Sequence, residues 1–182
     1  MEIIDTSIEG LKVIETDSFY DNRGYFLEAF NHKKLSDMGL DLSIYQENQA
    51  FSFRGAIRGL HYQMHPFAQA KLVRVIFGEI IDVAVDIRKN SSTFGKYFKI
   101  LLTGENNKQL WIPEGFAHCA LTKSEFSLMA YYTNKCYSNE HSKTIYFNDP
   151  DINIDWGVDE FIVSEKDSSA PLLKEIDLED LF

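Results

Sequence analysis

Apolar and polar residues follow one another in short bursts and simple alternation, and rarely at the three-to-four-residue spacing of an amphipathic helix. Runs rich in Val, Ile, Phe, Tyr and Leu recur at residues 11–14, 72–77, 80–87, 97–102, 109–112, 126–133 and 144–147, and each reads as a strand. Gly78-Glu79 and Gly104-Glu105-Asn106-Asn107 lie between such runs and carry turn chemistry. The stretches 58–63 and 71–75 also read as buried strand. Helix is favoured twice: over 31–38, with Asn31 as N-cap and Gly39 near the end, and in the acidic C-terminal segment. Many closely spaced short strands with almost no interleaved helix predict an all-β sandwich or barrel and exclude a βαβ sheet. No repeat, low-complexity tract or linker divides the chain, so one domain over 1–182 is expected, ending in an acidic segment over about 174–182.

The 182 residues are 45% hydrophobic and 14% aromatic, enough for a full core. The balance of 18 basic against 28 acidic residues gives a net charge of −10, which excludes nucleic acid or an anionic membrane as a partner of the whole molecule. Much of the acidic excess lies in Glu175-Ile176-Asp177-Leu178-Glu179-Asp180, so a local basic pocket for a phosphorylated ligand stays compatible with that charge. Met1-Glu2-Ile3-Ile4-Asp5 lacks the basic start and apolar core of a signal peptide, and no run approaches the ~18 apolar residues of a membrane span. Cys119 and Cys136 read as thiols with no CxxC partner. A cytoplasmic protein is expected.

Candidate chemistry concentrates in Arg58-Gly59-Leu60-His61-Tyr62-Gln63 and in Lys71-Leu72-Val73-Arg74-Val75. An arginine, a histidine and a lysine on strand-like segments are costly to bury unless a ligand uses them, as anion anchor, base and electrostatic clamp. On its own His61 fits a ligand, a base or a satisfied core histidine; Arg58, Lys71 and Ser164-Glu165-Lys166-Asp167 tip the reading toward a base oriented by an aspartate. Tyr131 and Tyr137 would share a face if one strand ran unbroken through both, supplying an acid and a stacking surface; the bland alternative is that Tyr131 packs in the core. Asp21-Asn22-Arg23-Gly24-Tyr25-Phe26-Leu27-Glu28 combines a turn with alternating Phe26 and Glu28, and a solvated hairpin is its plain alternative. Gln46-Glu47-Asn48 offers amides for a base or for sugar hydroxyls. Pro113-Glu114-Gly115-Phe116-Ala117-His118 has the Pro-x-Gly-x-x-His spacing of the second cupin motif. The first motif is incomplete, since Gln63 stands where a second histidine belongs and His65 is out of register. No metal site is expected, and His118 reads as a substrate or orienting group.

With these residues in view, the chain resembles the dTDP-4-dehydrorhamnose 3,5-epimerase family from about Ile3 to Leu173. The motifs that carry the resemblance are those around Arg23, Gln46, Arg58, Lys71, Asp82-Val83-Ala84-Val85-Asp86-Ile87-Arg88, Trp111 to His118, Asn148-Asp149-Pro150-Asp151 and Ser164. It implies a cupin-type jelly roll with a few short helices, and an enzyme that inverts C3 and C5 of dTDP-4-keto-6-deoxyglucose on the way to dTDP-rhamnose and surface polysaccharides. By the same resemblance His61 is the base, Asp167 raises its basicity, Lys71 faces the C4 oxygen and Tyr131 is the acid. Arg23, Arg58 and Lys166 would hold the diphosphate; Phe26, Glu28, Gln46, Glu47, Asn48 and His118 would bind substrate, and Tyr137 would stack on the base. No cofactor is implied, and a homodimer that exchanges an N-terminal strand is. The chain departs from the family at Ala50, Ala70, Cys119-Ala120 and Ser142, which bears on the sugar accepted and the number of centres inverted. Inversion at one carbon, another nucleotide-linked keto sugar, and a non-catalytic sugar-binding jelly roll are the alternatives.

Overall fold

A computed structural model describes residues 1–40 and 43–182. Its strands are β1 (Glu2–Asp5), β2 (Lys12–Glu15), β3 (Ser18–Asp21), β4 (Gly24–Leu27), β5 (Gln46–Phe53), β6 (Ile57–Gln63), β7 (Lys71–Phe77), β8 (Glu79–Asp86), β9 (Tyr97–Thr103), β10 (Lys108–Ile112), β11 (Phe116–Thr122), β12 (Phe126–Thr133) and β13 (Ser142–Thr144), with helices α1 (His32–Asp37) and α2 (Glu165–Ser168). A six-stranded sheet runs β1-β2-β10-β7-β12-β5, a five-stranded one β13-β6-β11-β8-β9, and among the described residues β3 pairs only with β4. This is the all-β, cupin-like jelly roll that short alternating strands demand.

The core lies between the two large sheets, where Val73, Val75, Leu110 and Met129 of one meet Ile80, Ala84, Leu102 and Ala120 of the other. Two outer layers complete the packing. Ile57, Leu60, Tyr62, Val83 and Val85 point out of the five-stranded sheet onto Phe147, Trp156, Leu173 and Leu181. Leu35 of α1 covers Ile14 and Leu72 on the back of the six-stranded sheet.

Most expected strands are present, but that over 144–147 shrinks to β13, and Leu60 and Ile145 instead exchange backbone bonds. Helix α1 forms where predicted, with the Asn31 side chain accepting from the Lys34 N–H. The acidic C-terminus forms only two short 3-10 turns, Leu173–Glu175 and Leu178–Asp180. Its apolar residues are too few and too close together for a longer amphipathic face, and Leu173 and Leu181 dock separately. The first strand is paired within its own chain, β1 with β2 from Glu2↔Glu15 to Asp5↔Lys12. Among the described residues, the β3–β4 hairpin is the element that pairs with no further strand. No helix among the described residues is long and apolar enough to cross a membrane.

Candidate active site

Strand β6 carries both Arg58 and His61 inward, although three residues apart they would face opposite ways on a regular strand. The pairing with β11 explains this: His118 stands opposite His61 but Ala120 stands opposite Arg58, so β6 holds one extra residue in a bulge. Gly59 sits in that bulge at φ 130°, and a Cβ there would lie 2.3 Å from the His118 carbonyl oxygen. Only glycine fits such an approach.

The bulge opens a cavity of about 610 Å³ between the sheets, with Arg58, His61 and His118 on one wall and Asn48, Ala50, Met129, Tyr131 and Lys71 on the other. Lys166 and Asp167 close one end from α2, beside Ile162 and Val163. The Ser164 side chain caps α2 by accepting from the Asp167 N–H at 3.1 Å, which turns the buried Asp167 inward. There Asp167 Oδ1 lies 2.7 Å from His61 Nε2. Burial opposes ionisation of Asp167, yet hydrogen bonds from His61, Gly59 N–H and Ser164 hold its carboxyl below the usual range. With Nε2 engaged by a carboxylate, Nδ1 of a neutral His61 keeps its lone pair.

A second histidine–aspartate pair stands beside the first, His118 Nε2 being 2.6 Å from Asp82 Oδ1. Burial pushes His118 down and outweighs the Asp82 charge that favours its cation. Lys71 donates to the His61 carbonyl at 3.3 Å and passes 6.0 Å from the centre of the Tyr131 ring. Burial drives the Lys71 ammonium down to about 8, with Asp82 opposing. Burial raises the Tyr131 phenol, with Arg58 opposing, so it is protonated at neutral pH. Arg58 is itself held by Ser52 Oγ, which accepts from Nε at 2.9 Å. If the Lys71 charge is needed, kcat/KM of the free enzyme is expected to bend downward above about pH 8 and to stay level above that point in Lys71→Arg.

Of the residues singled out from sequence, the cavity gathers Asn48, Arg58, His61, Lys71, His118, Tyr131, Lys166 and Asp167. Gln46 lies beyond its wall, bonded to Asn48 and accepting from the Tyr137 N–H. Glu47 is turned away, because inward Asn48 opposes Tyr131 and outward Glu47 opposes Tyr132. The common face expected for Tyr131 and Tyr137 is corrected: β12 ends at Thr133, whose hydroxyl closes a turn onto the Lys135 carbonyl, and Tyr137 is exposed on the following loop. Arg23 is at the exposed tip of the hairpin in an ion pair with Asp21, Phe26 projects into solvent, and Glu28 binds Lys34 and Asn31. None of these three lines the cavity of its own chain.

Sequence reading assigned no site role to Asp82, Ser52 or Met129. A lone aspartate inside the apolar run Ile80-Ile81-Asp82-Val83-Ala84-Val85 was a usable signal, since a buried charge needs a reason. Among the departures from the family, Ala50 lines the cavity, Cys119 backs onto Gly59, and Ser142 pairs with Gln63 on β13. Ala70 precedes Lys71 and donates its N–H to Asn134.

An interior that brings a backed histidine, a lysine and a phenol together inside paired β-sheets is that of a cupin-like sugar isomerase. Residues 5–175 match the family model described as dTDP-4-dehydrorhamnose 3,5-epimerase. A dTDP-4-dehydrorhamnose 3,5-epimerase of Shigella flexneri is 45% identical over 168 residues, covering 92% of this chain and 93% of the relative. The crystal structure of a dTDP-6-deoxy-D-glucose-3,5-epimerase from Legionella pneumophila, in complex with dTDP-4-keto-L-rhamnose, superposes with a TM-score of 0.96 at 42% identity, covering 99% of this chain and 96% of that one. A 3'-monoepimerase from Streptomyces bikiniensis, in complex with dTDP-quinovose, gives 0.88 at 32% identity over 93% of this chain and 86% of its own. The chain belongs to the dTDP-4-dehydrorhamnose 3,5-epimerase family, and it is an isomerase of that kind.

Proposed function

We propose that this enzyme inverts C3 and C5 of dTDP-4-keto-6-deoxyglucose by proton removal and return, supplying a dTDP-rhamnose precursor without cofactor or metal. The observation that carries the reading is that His61 and Tyr131 enter the cavity from different sheets, β6 and β12. A sugar ring held between them has a base on one face and an acid on the other. The C4 ketone acidifies the neighbouring C–H bonds; His61 takes the C3 proton, negative charge develops on the C4 oxygen beside Lys71, and Tyr131 delivers a proton from the opposite face. The same sequence repeated at C5 completes the conversion. Arg58 and Lys166 supply positive charge for the diphosphate, and Asn48 and His118 supply hydrogen bonds. A folded jelly roll over 1–182 that only bound sugars would have no use for an acid and a base together.

Inversion of one centre is the second reading, favoured by the likeness to a 3'-monoepimerase. NMR of dTDP-4-keto-6-deoxyglucose with the enzyme in D2O separates the two, since deuterium is expected at both C3 and C5 and label at one alone would establish the second reading. The incorporation is expected to be unchanged by EDTA. Loss restored by a divalent ion would require a metal.

Arg23, Phe26 and Glu28 then find their place in a homodimer. Phe19, Tyr20, Tyr25 and Phe26 on the hairpin are 64%, 71%, 53% and 69% exposed, an apolar surface too large to leave in water. Docked on a second copy, the hairpin would bring Arg23 and Glu28 to the neighbour's cavity, where Tyr137 and Gln46 flank the nucleoside end. Light scattering at micromolar concentration is expected to give a dimer; a fully active monomer would overturn the exchange. Two free thiols, Cys119 buried and Cys136 exposed, fit a reducing cytoplasm.

A further inference from the structure

Asp82 is fully buried and faces the interior from β8, yet only one of its oxygens is used: Oδ1 meets His118, while Oδ2 is buried with no hydrogen-bond partner. Asp86, at the end of the same strand, shows what a structural aspartate looks like here, since its oxygens accept from Arg88, Ser91 and Thr93. A half-used buried carboxylate calls for an explanation, because leaving such a group without a partner is costly. The surroundings supply one. Around the cavity that Lys71 lines stand His61 and Arg58 from β6, Asp167 from α2, His118 from β11 and Tyr131 from β12, with Cys119 of β11 also near the lysine. Burial leaves His118, Cys119 and Tyr131 uncharged at neutral pH. Lys166 and Arg58 add positive charge, and Asp167 is committed to His61 at 2.7 Å. Asp82 is thus the carboxylate left to balance the buried Lys71 ammonium. Among the described residues no direct ion pair joins the two, and the one hydrogen bond the Lys71 ammonium makes is to the His61 carbonyl.

We propose that Asp82 is a positioning residue: anchored by His118, its carboxylate is the fixed counter-charge that keeps Lys71 an ammonium without occupying the hydrogens that Lys71 turns to a developing oxyanion. A contact ion pair would neutralise the cation and tie up its donors; a carboxylate held off by His118 preserves both charge and reach. The inference rests on the epimerase reading for its purpose, but its electrostatic content can be measured without turnover.

The test is the Lys71 Nζ titration in folded protein labelled with 15N-lysine, the resonance being assigned by its absence in Lys71→Arg. Asp82→Asn is expected to move the midpoint, which lies near 8 in the parent, down by about one pH unit. The alkaline limb of kcat/KM should follow, costing about five-fold at pH 8 and little at pH 6. Asp82→Glu, which keeps the charge, is expected to restore both. A merely structural role for Asp82 would lower activity equally at every pH and leave the lysine midpoint in place, and that result in a folded variant overturns the proposal. Should Asp82→Asn fail to fold, Asp82→Ser, which leaves room for a water molecule, is read in the same way. If the lysine midpoint moves as expected while the parent protein leaves dTDP-4-keto-6-deoxyglucose unlabelled in D2O, the epimerase reading fails and the electrostatic assignment stands.

Discussion

Replacing His61 with asparagine is expected to remove both turnover and the exchange of substrate C3 and C5 protons with D2O. Asparagine is polar but shorter, ending before the Nε2 position that meets Asp167 at 2.7 Å, and it has no basic nitrogen, so the C–H bonds have no acceptor on that face. Loss of a general base costs ~100- to 10,000-fold, a range that an NMR time course resolves. The variant should remain folded, because His61 is 39% exposed in its side chain and rests on a strand fixed by β11 and β13. Asp167→Asn should fall between parent and His61→Asn, since it removes the orienting charge and leaves the imidazole. Exchange at the parental rate in His61→Asn would assign the base elsewhere.

Tyr131→Phe should separate the two half-reactions. The phenol is expected to be the acid, so its loss stops net inversion by a comparable ~100- to 10,000-fold. Exchange should persist in part, because His61 still forms the enolate beside Lys71 and returns deuterium to the face it left. The ring itself packs against the core cluster that includes Met129, and phenylalanine preserves that packing. Equal loss of exchange in both variants would mean that Tyr131 is needed to form the enolate or to seat the sugar, and the two-face assignment would be withdrawn.

The strands were legible because an antiparallel sandwich writes its packing into period-two alternation, as in β12, where Met129 and Tyr131 point in and Ala130 and Tyr132 point out. Helix α1 was legible from one residue, Asn31. Part of the cavity lining could be read from chemistry, since Arg58, His61 and Lys71 are conspicuous on apolar strands. Its second layer was harder. Asp82 stands out in its apolar run, but its partner is visible only once β11 brings His118 beside it, and Ser52 matters only because Arg58 reaches over to the opposite sheet. Tyr137 shows the limit of spacing arguments, because a turn at Asn134 and Lys135 cancels the parity on which its placement relied. Arg23, Phe26 and Glu28 could be recognised by motif, but a single chain gives them no cavity to line.

The extra residue at Gly59 governs more than local geometry. With regular pairing through β6, Arg58 and His61 would lie on opposite faces, one in the cavity and the other in the layer formed by Phe147 and Trp156. Forcing regular pairing on β6 without shortening it would therefore leave the strand's composition untouched while putting its two halves out of phase with each other. What this strand presents to the cavity depends on a phase shift, much as a reading frame carries meaning that its individual letters do not. Designers borrowing this strand for another jelly roll must transplant the offset together with the histidine.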